Sequence, residues 1–359
     1  MKRFGFAFDN NVGNATVGVN LARFIEGRSD VSATFLPIEL VADDIWQRIP
    51  GIRSNFALTA SARAAAALYA LRRRSGLDAA FLHSQSIGLF CLELMRRVPT
   101  LISSDATPAN LDRMADGYAH RVYGKRIEQF KHAWTKATIR SAHTLLGFSK
   151  WVIESYVSDY GAKPERTVVI PPGVDVRLWQ PDPSKRANDG LTRILFVGGD
   201  VQRKGGDILL RWAQQTRHRD FEIHLVTRNR LPETPRVVVH NDISPNGPRL
   251  VDLAQRCDLF ALPTRADCFS IACLEANATG LPAVITDVGG VGEIVRDGET
   301  GYLAPAGDET AFFERLDRLV GDDSLRARMG LAARSVIETR FDARANADAV
   351  IRVMSEMQV

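Results

Sequence analysis

Asp267 and Glu275, with seven residues between them, stand in the stretch from Pro263 to Gly301, PTRADCFSIACLEANATGLPAVITDVGGVGEIVRDGETG. Asp267 closes a polar loop of Thr264, Arg265 and Ala266. Phe269 to Ala278 has the apolar spacing of a buried helix, which places Phe269, Ser270 and Ile271 at its start. A helix start offers unpaired amides and the positive end of a dipole to a phosphate or a sugar oxygen. Glu275 falls about two turns from Asp267, close to the same side of the helix. Upstream, Gly198, Gly199, Gly205 and Gly206 surround Arg203 and Lys204 in a loop after a strand-like run. Such a cationic, flexible loop suits a diphosphate, because charge-assisted contacts neutralise it and Arg binds in two-pronged fashion.

The elements that must hold these groups alternate. Thr279-Gly280-Leu281-Pro282 ends the helix, Ala283 to Thr286 forms a strand, and Gly289-Gly290 leaves the backbone open to close approach. Before it come strands at Arg193 to Val197, Glu222 to Thr227, Arg236 to His240 and Leu259 to Leu262, with helices at Asp207 to Gln214 and Val251 to Arg256. Ile243 follows the third of these strands. The first half repeats the alternation. Phe4 to Phe8 is a strand, Asp9 to Asn14 a polar loop in which Gly13 permits a ligand to approach, and Ala15 to Glu26 a helix. Strands at Ala79 to His83 and Thr100 to Ser103 put His83 and Asp105 at carboxyl ends of strands, and Thr107-Pro108 starts a helix. Ala57 to Leu71 is an Ala-rich helix whose closing Arg72-Arg73-Arg74 suits the helix dipole better than a membrane surface. Tyr118 to Ser141 is long, helical and basic. Strands alternating with helices across both halves argue two parallel-sheet, Rossmann-like domains.

A chain of 359 residues holds two or three domains, and its 45% hydrophobic and 25% charged content is ordinary for a globular protein. The four cysteines have no CxxC or paired spacing, which points to free thiols in a reducing compartment; Cys268 and Cys273 read as packing residues rather than metal ligands. Residues 1–174 hold 22 Lys+Arg against 15 Asp+Glu, and the rest 24 against 27. That asymmetry favours an anionic partner for the first half, a lipid phosphate or membrane surface before nucleic acid. There is no GxGxxG for a nicotinamide cofactor, no secretory signal and no run of eighteen apolar residues, so a cytoplasmic protein is expected, with peripheral contact to the inner membrane face at most.

From Ile194 to about Asp308 the chain resembles the donor-site signature of the family 4 retaining glycosyltransferases: an acid, seven residues and a Glu, followed by TDVGGVGEIVRDGETGYL. The resemblance implies the GT-B fold, an α/β architecture of two Rossmann-like parallel-sheet domains facing a central cleft, with a C-terminal helix crossing back to the first. It places an N-terminal acceptor-binding domain at 1–172, a linker at 173–190 around Gly173-Val174-Asp175 and Trp179, a nucleotide-sugar-binding domain at 191–342, and the crossover helix at about 343–359. Lys204 matches the Lys that contacts the donor diphosphate. Asp267, with the amides near Phe269 and Ser270, would hold hydroxyls of the donor sugar, and Glu275 the ribose hydroxyls. Ile243 would lie against the base, and Gly198, Gly199, Ile271 and Gly13 would complete the contacts. Three departures stand out. The first acid is Asp267 where the family usually has Glu, and Gly199 replaces the usual Arg, for which Arg203 is expected to compensate. In the first domain, Asp105 begins an Asp-Ala-Thr-Pro segment where many relatives carry a His.

The function expected is sugar transfer, with retention, from a nucleoside diphosphate sugar such as a UDP- or GDP-sugar to a lipid-linked or saccharide acceptor, without an obligatory metal. Two other classes use the same residues. A nucleotide-sugar epimerase would draw its acid and base from His83 and Asp105, and a non-catalytic sugar-nucleotide-binding protein would need neither.

Overall fold

The computed structural model describes residues 1–9, 12–39, 43–53, 55–114 and 124–358. The chain divides into two compact units. One takes in Met1–Arg113, the described residues up to Pro172, and the chain from Ala343; the other is Gly173–Asp342.

The first unit is built on β1 (Lys2–Asp9), α1 (Val12–Ile25), β2 (Val31–Ile38), α2 (Phe56–Ser75), β3 (Ala79–His83), α3 (Leu92–Met95), β4 (Thr100–Ser104), α4 (Pro108–Arg113), α5 (Lys125–Ser141), β5 (Thr144–Gly147), α6 (Lys150–Ser158) and β6 (Thr167–Val169). Among the described residues its sheet has six parallel strands in the order β2-β1-β3-β4-β5-β6. One register explains one face of the core. Phe6 lies between Phe35 and Phe81 on the neighbouring strands, with ring centroids 4.8 and 5.4 Å away, and Phe8 pairs with His83 at 5.7 Å. Such same-face neighbours are what stabilise a sheet. Polar loop residues ahead of α1 had predicted a helix from Ala15; it starts at Val12, so Gly13 belongs to its first turn and not to an open loop. The amides of a first turn have no helical acceptor in any case, so small polar residues are tolerated there. Of the basic stretch from Tyr118, residues 118–123 lie outside the described residues and the remainder is α5. The α2 helix buries Ala60, Ala64 and Leu68, and its Arg63 pairs with Asp44 at 2.6 Å. It is a core helix.

The second unit contains β7 (Thr192–Val197), α7 (Gly206–Gln215), β8 (Phe221–Val226), β9 (Val237–His240), α8 (Pro248–Arg256), β10 (Leu259–Leu262), α9 (Ile271–Ala278), β11 (Ala283–Thr286), β12 (Gly301–Ala304), α10 (Glu309–Val320) and α11 (Asp323–Arg340). Its described strands form a parallel sheet in the order β12-β11-β10-β7-β8-β9, over a core that includes Phe196, Trp212, Phe221 and Phe260. The segment read as a linker packs into this unit. Val174 bridges Asp342, Trp179 is 2% exposed, and Arg334 of α11 donates to the carbonyls of Trp179, Val176 and Ala278. In its first part Val174 and Trp179 are buried, whereas 183–190 are exposed. The last helix, α12 (Ala343–Glu356), lies in the first unit against α1, burying Ala347, Val350, Ile351 and Met354.

Candidate active site

The Pro263–Gly301 stretch is held by β10, α9, β11 and the turns between them. Ser270 caps α9: its hydroxyl accepts from the amide of Cys273 at 3.2 Å. This leaves the amides of Ile271 and Ala272, ahead of the first helical hydrogen bond, to meet an anion. Phe269 and Ser270 are buried and Ile271 is half-buried. Gly280 ends the helix with a φ of 78°, as the Gly-Leu-Pro sequence predicts.

Asp267 is 5% exposed, and its carboxylate accepts from the Lys204 ammonium in a buried ion pair. The two groups assigned separately to sugar and diphosphate therefore hold each other in the ligand-free protein. Several contacts fix this geometry. A Cβ on Gly205, whose φ is 76°, would lie 1.8 Å from the Pro263 carbonyl oxygen, so only glycine lets the two loops meet. Gly289 does the same from the other side: at φ 57°, a Cβ there would lie 2.3 Å from the Asp267 carbonyl oxygen. The close approach that Gly289 and Gly290 foretold is thus made by the chain itself. The amide of Gly290 donates to Cys268 O at 2.9 Å.

Arg203, expected to help hold the diphosphate, is engaged with the neighbouring loop. Its guanidinium donates to Ala266 O at 2.8 Å, while its carbonyl accepts from the Arg265 amide at 2.9 Å. It braces the loop that carries Asp267. Arg265 in turn pairs with Asp207 at 2.6 Å.

Glu275 is 6% exposed and makes no side-chain hydrogen bond or ion pair among the described residues. Burial pushes its carboxyl up to about 8. A carboxyl so placed has spare capacity for a polar ligand. Cys268 and Cys273 are buried and form no disulfide, and burial raises the Cys273 thiol far above its ordinary range. No group of three His, Cys, Asp or Glu suited to a metal ion occurs among the described residues. Gly198 and Gly199 follow β7, and Ile243 follows β9, half-buried.

In the first unit, His83 is fully buried at the end of β3, its ring stacked on Phe148 at 5.3 Å and its Nδ1 3.4 Å from Ser103 Oγ. Asp105 lies half-buried just past β4.

Residues 192–322 match the family model described as "Glycosyl transferases group 1", and residues 33–178 match "Glycosyltransferase Family 4". The chain belongs to the family 4, group 1 glycosyltransferases. Among curated relatives, D-inositol 3-phosphate glycosyltransferase 1 of Catenulispora acidiphila is 31% identical over 220 residues, 53% of this chain and 52% of that one. The D-inositol 3-phosphate glycosyltransferase of Corynebacterium diphtheriae is 30% identical over 242 residues, 60% of this chain and 57% of that one. The chain thus spans about half the length of the curated relatives it matches. Sucrose-phosphate synthase from Thermosynechococcus elongatus superimposes with a TM-score of 0.78 at 17% identity, over 99% of both chains. Anabaena Alr3699/HepE, solved in complex with UDP and glucose, does so with 0.74 at 15% identity, over 99% of this chain and 100% of that one. The fold of this glycosyltransferase is GT-B.

One residue that motif reading did not single out is Arg228. It follows β8 in the sequence Thr227-Arg228-Asn229-Arg230, outside the stretches that were singled out.

Proposed function

We propose that this glycosyltransferase moves a sugar, with retention, from a nucleoside diphosphate sugar to an acceptor hydroxyl. The observation that carries the reading is the buried Lys204–Asp267 pair beside the capped start of α9, with Glu275 buried and unpartnered in the same helix. Breaking the bond between the sugar's anomeric carbon and the diphosphate builds negative charge on the departing oxygen. Lys204 and the amides of Ile271 and Ala272 meet that charge where it develops, which is the largest kind of catalytic contribution. Asp267, released from Lys204 as the phosphates arrive, takes sugar hydroxyls; Glu275 takes the ribose. The acceptor attacks from the face the diphosphate leaves, and its hydroxyl proton passes to a diphosphate oxygen. In this reading the cations that meet the diphosphate are side chains, with no obligatory metal. The neighbour solved with UDP and glucose supports a uridine nucleotide donor as the first to try.

A thermal-shift panel of UDP-, GDP- and ADP-sugars tests it. A true donor at about a hundred times its dissociation constant adds roughly 2.7 kcal/mol to stability, a shift of several degrees. No shift with any of them removes the donor-site reading.

For the acceptor we infer an anionic, phosphate-bearing molecule, lipid-linked and met at a membrane surface. The relatives named for D-inositol 3-phosphate, an anionic polyol, point the same way, as does the positive excess of residues 1–174. On α5, Ile127 (52% exposed) and Phe130 (62%) stand beside exposed Lys125 and Arg126, and Phe130 packs edge-on to Trp134 at 5.4 Å. Apolar and aromatic residues among cations suit the interface of an anionic bilayer. No helix among the described residues is long and apolar enough to cross a membrane. Co-sedimentation with phosphatidylglycerol vesicles should exceed that with phosphatidylcholine vesicles, weaken with salt, and fall severalfold in Phe130→Asp. Equal binding to both vesicles, or binding to neither, sinks the membrane part of this reading.

A further inference from the structure

We propose that Arg228 is the second cation of the diphosphate site and stabilises the leaving group together with Lys204; this rests on the donor-site reading above. Two consecutive glycines follow β7, the first facing Phe196 and the Lys204 Cβ, the second facing the Arg228 side chain. A Cβ on Gly198 would come within 2.8 Å of Lys204 Cβ, and one on Gly199 would lie 3.7 Å from Arg228 Nε. The Arg228 side chain therefore reaches over the backbone of the loop that carries Lys204, into the space beside position 199.

The other cations near this loop are engaged. Arg203 is bonded to Ala266 O and Arg265 to Asp207, whereas Arg228 is exposed and has no hydrogen bond or ion pair among the described residues. Its backbone is nevertheless pinned. Asn241 Nδ2 donates to both carbonyls that flank it, Thr227 O at 3.0 Å and Asn229 O at 2.8 Å. Asn229 Oδ1 accepts from the amide of Val201, in the glycine loop, at 3.0 Å. A turn tied down at three points, carrying a guanidinium unpaired among the described residues beside the loop that holds Lys204, is preorganised for an anionic ligand. A guanidinium also presents two donors to phosphate oxygens, which Lys204 cannot.

The test compares uridine with UDP binding by calorimetry, alongside turnover of the donor, in Arg228→Ala, Lys204→Ala and the double variant Gly199→Arg/Arg228→Ala. GDP with guanosine and ADP with adenosine replace them if the wild type prefers those bases. Arg228→Ala is expected to weaken the diphosphate roughly tenfold or more while leaving the nucleoside unchanged, and to lower turnover on the order of a hundredfold. Because Arg228 is exposed and unpaired, the melting temperature should stay within about 2 °C. In the double variant a guanidinium rises from position 199 into the vacated space and restores part of the lost affinity. Unchanged diphosphate binding in Arg228→Ala beside a clear loss in Lys204→Ala overturns this inference and leaves the donor site standing. Equal losses of nucleoside and diphosphate would make Arg228 a structural residue and overturn it too. A wild type that binds no nucleoside diphosphate overturns both readings.

Discussion

Lys204→Ala is expected to destabilise the second unit by roughly 3 to 5 kcal/mol and to lower donor turnover by two to three orders of magnitude. The stability loss arises because Asp267, 5% exposed, would be left in a buried site without the ammonium that pairs with it among the described residues. A buried carboxylate without its partner costs far more than the pair itself contributes. The double variant Lys204→Met/Asp267→Asn separates the two effects. It replaces the ion pair by a neutral pair of similar volume, so most of the stability should return while turnover stays low. Asp267→Asn alone should leave affinity for the bare nucleoside diphosphate intact or raised, since Lys204 no longer has a competing anion, and should depress turnover in a sugar-dependent way. Chemical denaturation of the four proteins, with turnover measured beside it, checks all of this. If the double variant is no more stable than Lys204→Ala, the ion pair is not what the single substitution breaks.

The second large effect is a stability that falls as pH rises through the neutral range, and it comes from Glu275. Burial raises its carboxyl to about 8 in the folded protein, against an ordinary value of 4.5. Below pH 4.5 both folded and unfolded chains hold the proton, and the group contributes nothing to the difference. Between the two values the unfolded chain releases the proton and the folded one keeps it. Stability therefore declines with increasing pH, by up to about 1.4 kcal/mol per unit, and levels off above the folded value. The accumulated loss is on the order of 5 kcal/mol, and Glu275→Gln should remove it, giving a variant more stable than the wild type at pH 8 and alike at pH 4.5. The same variant should bind every nucleoside diphosphate roughly tenfold or more weakly, because the amide replaces one acceptor oxygen by a donor and removes the charge. Binding to the wild type should tighten as pH rises and release a proton at pH 7, measurable as a dependence of the calorimetric heat on buffer. A flat difference in stability between wild type and Glu275→Gln from pH 5 to 8 would contradict the assignment.

A site that combines a buried ion pair, a buried unpartnered acid and two glycines in left-handed conformations is costly to maintain. Each feature is expected where chemistry, rather than stability, has set the residues.

The alternation of strands and helices, the start and end of α9 and the spacing of Asp267 and Glu275 were legible from the sequence, because each rests on residues a few positions apart. Ser270 caps a helix wherever its neighbours sit, and Gly280-Leu281-Pro282 ends one. Family resemblance extended that reading to fold and to Lys204. Two of the edge strands, β2 and β12, were not legible. β2 carries Pro37 and β12 is only Gly301–Ala304, and each becomes a strand because β1 or β11 supplies a partner along one side. The glycines were seen as places of close approach, but what approaches Gly289 is Asp267, 22 positions earlier. Which cations are already bonded is likewise decided by packing. Arg203 beside Lys204 in sequence is bonded into the next loop, and Arg228, 24 positions away, reaches over Gly199. The protonation of Glu275 depends on how completely α9 is covered by the rest of its unit. Local chemistry thus wrote the elements and the motif, whereas pairing, burial and the free or engaged state of each charge belong to long-range packing, which no window of sequence contains.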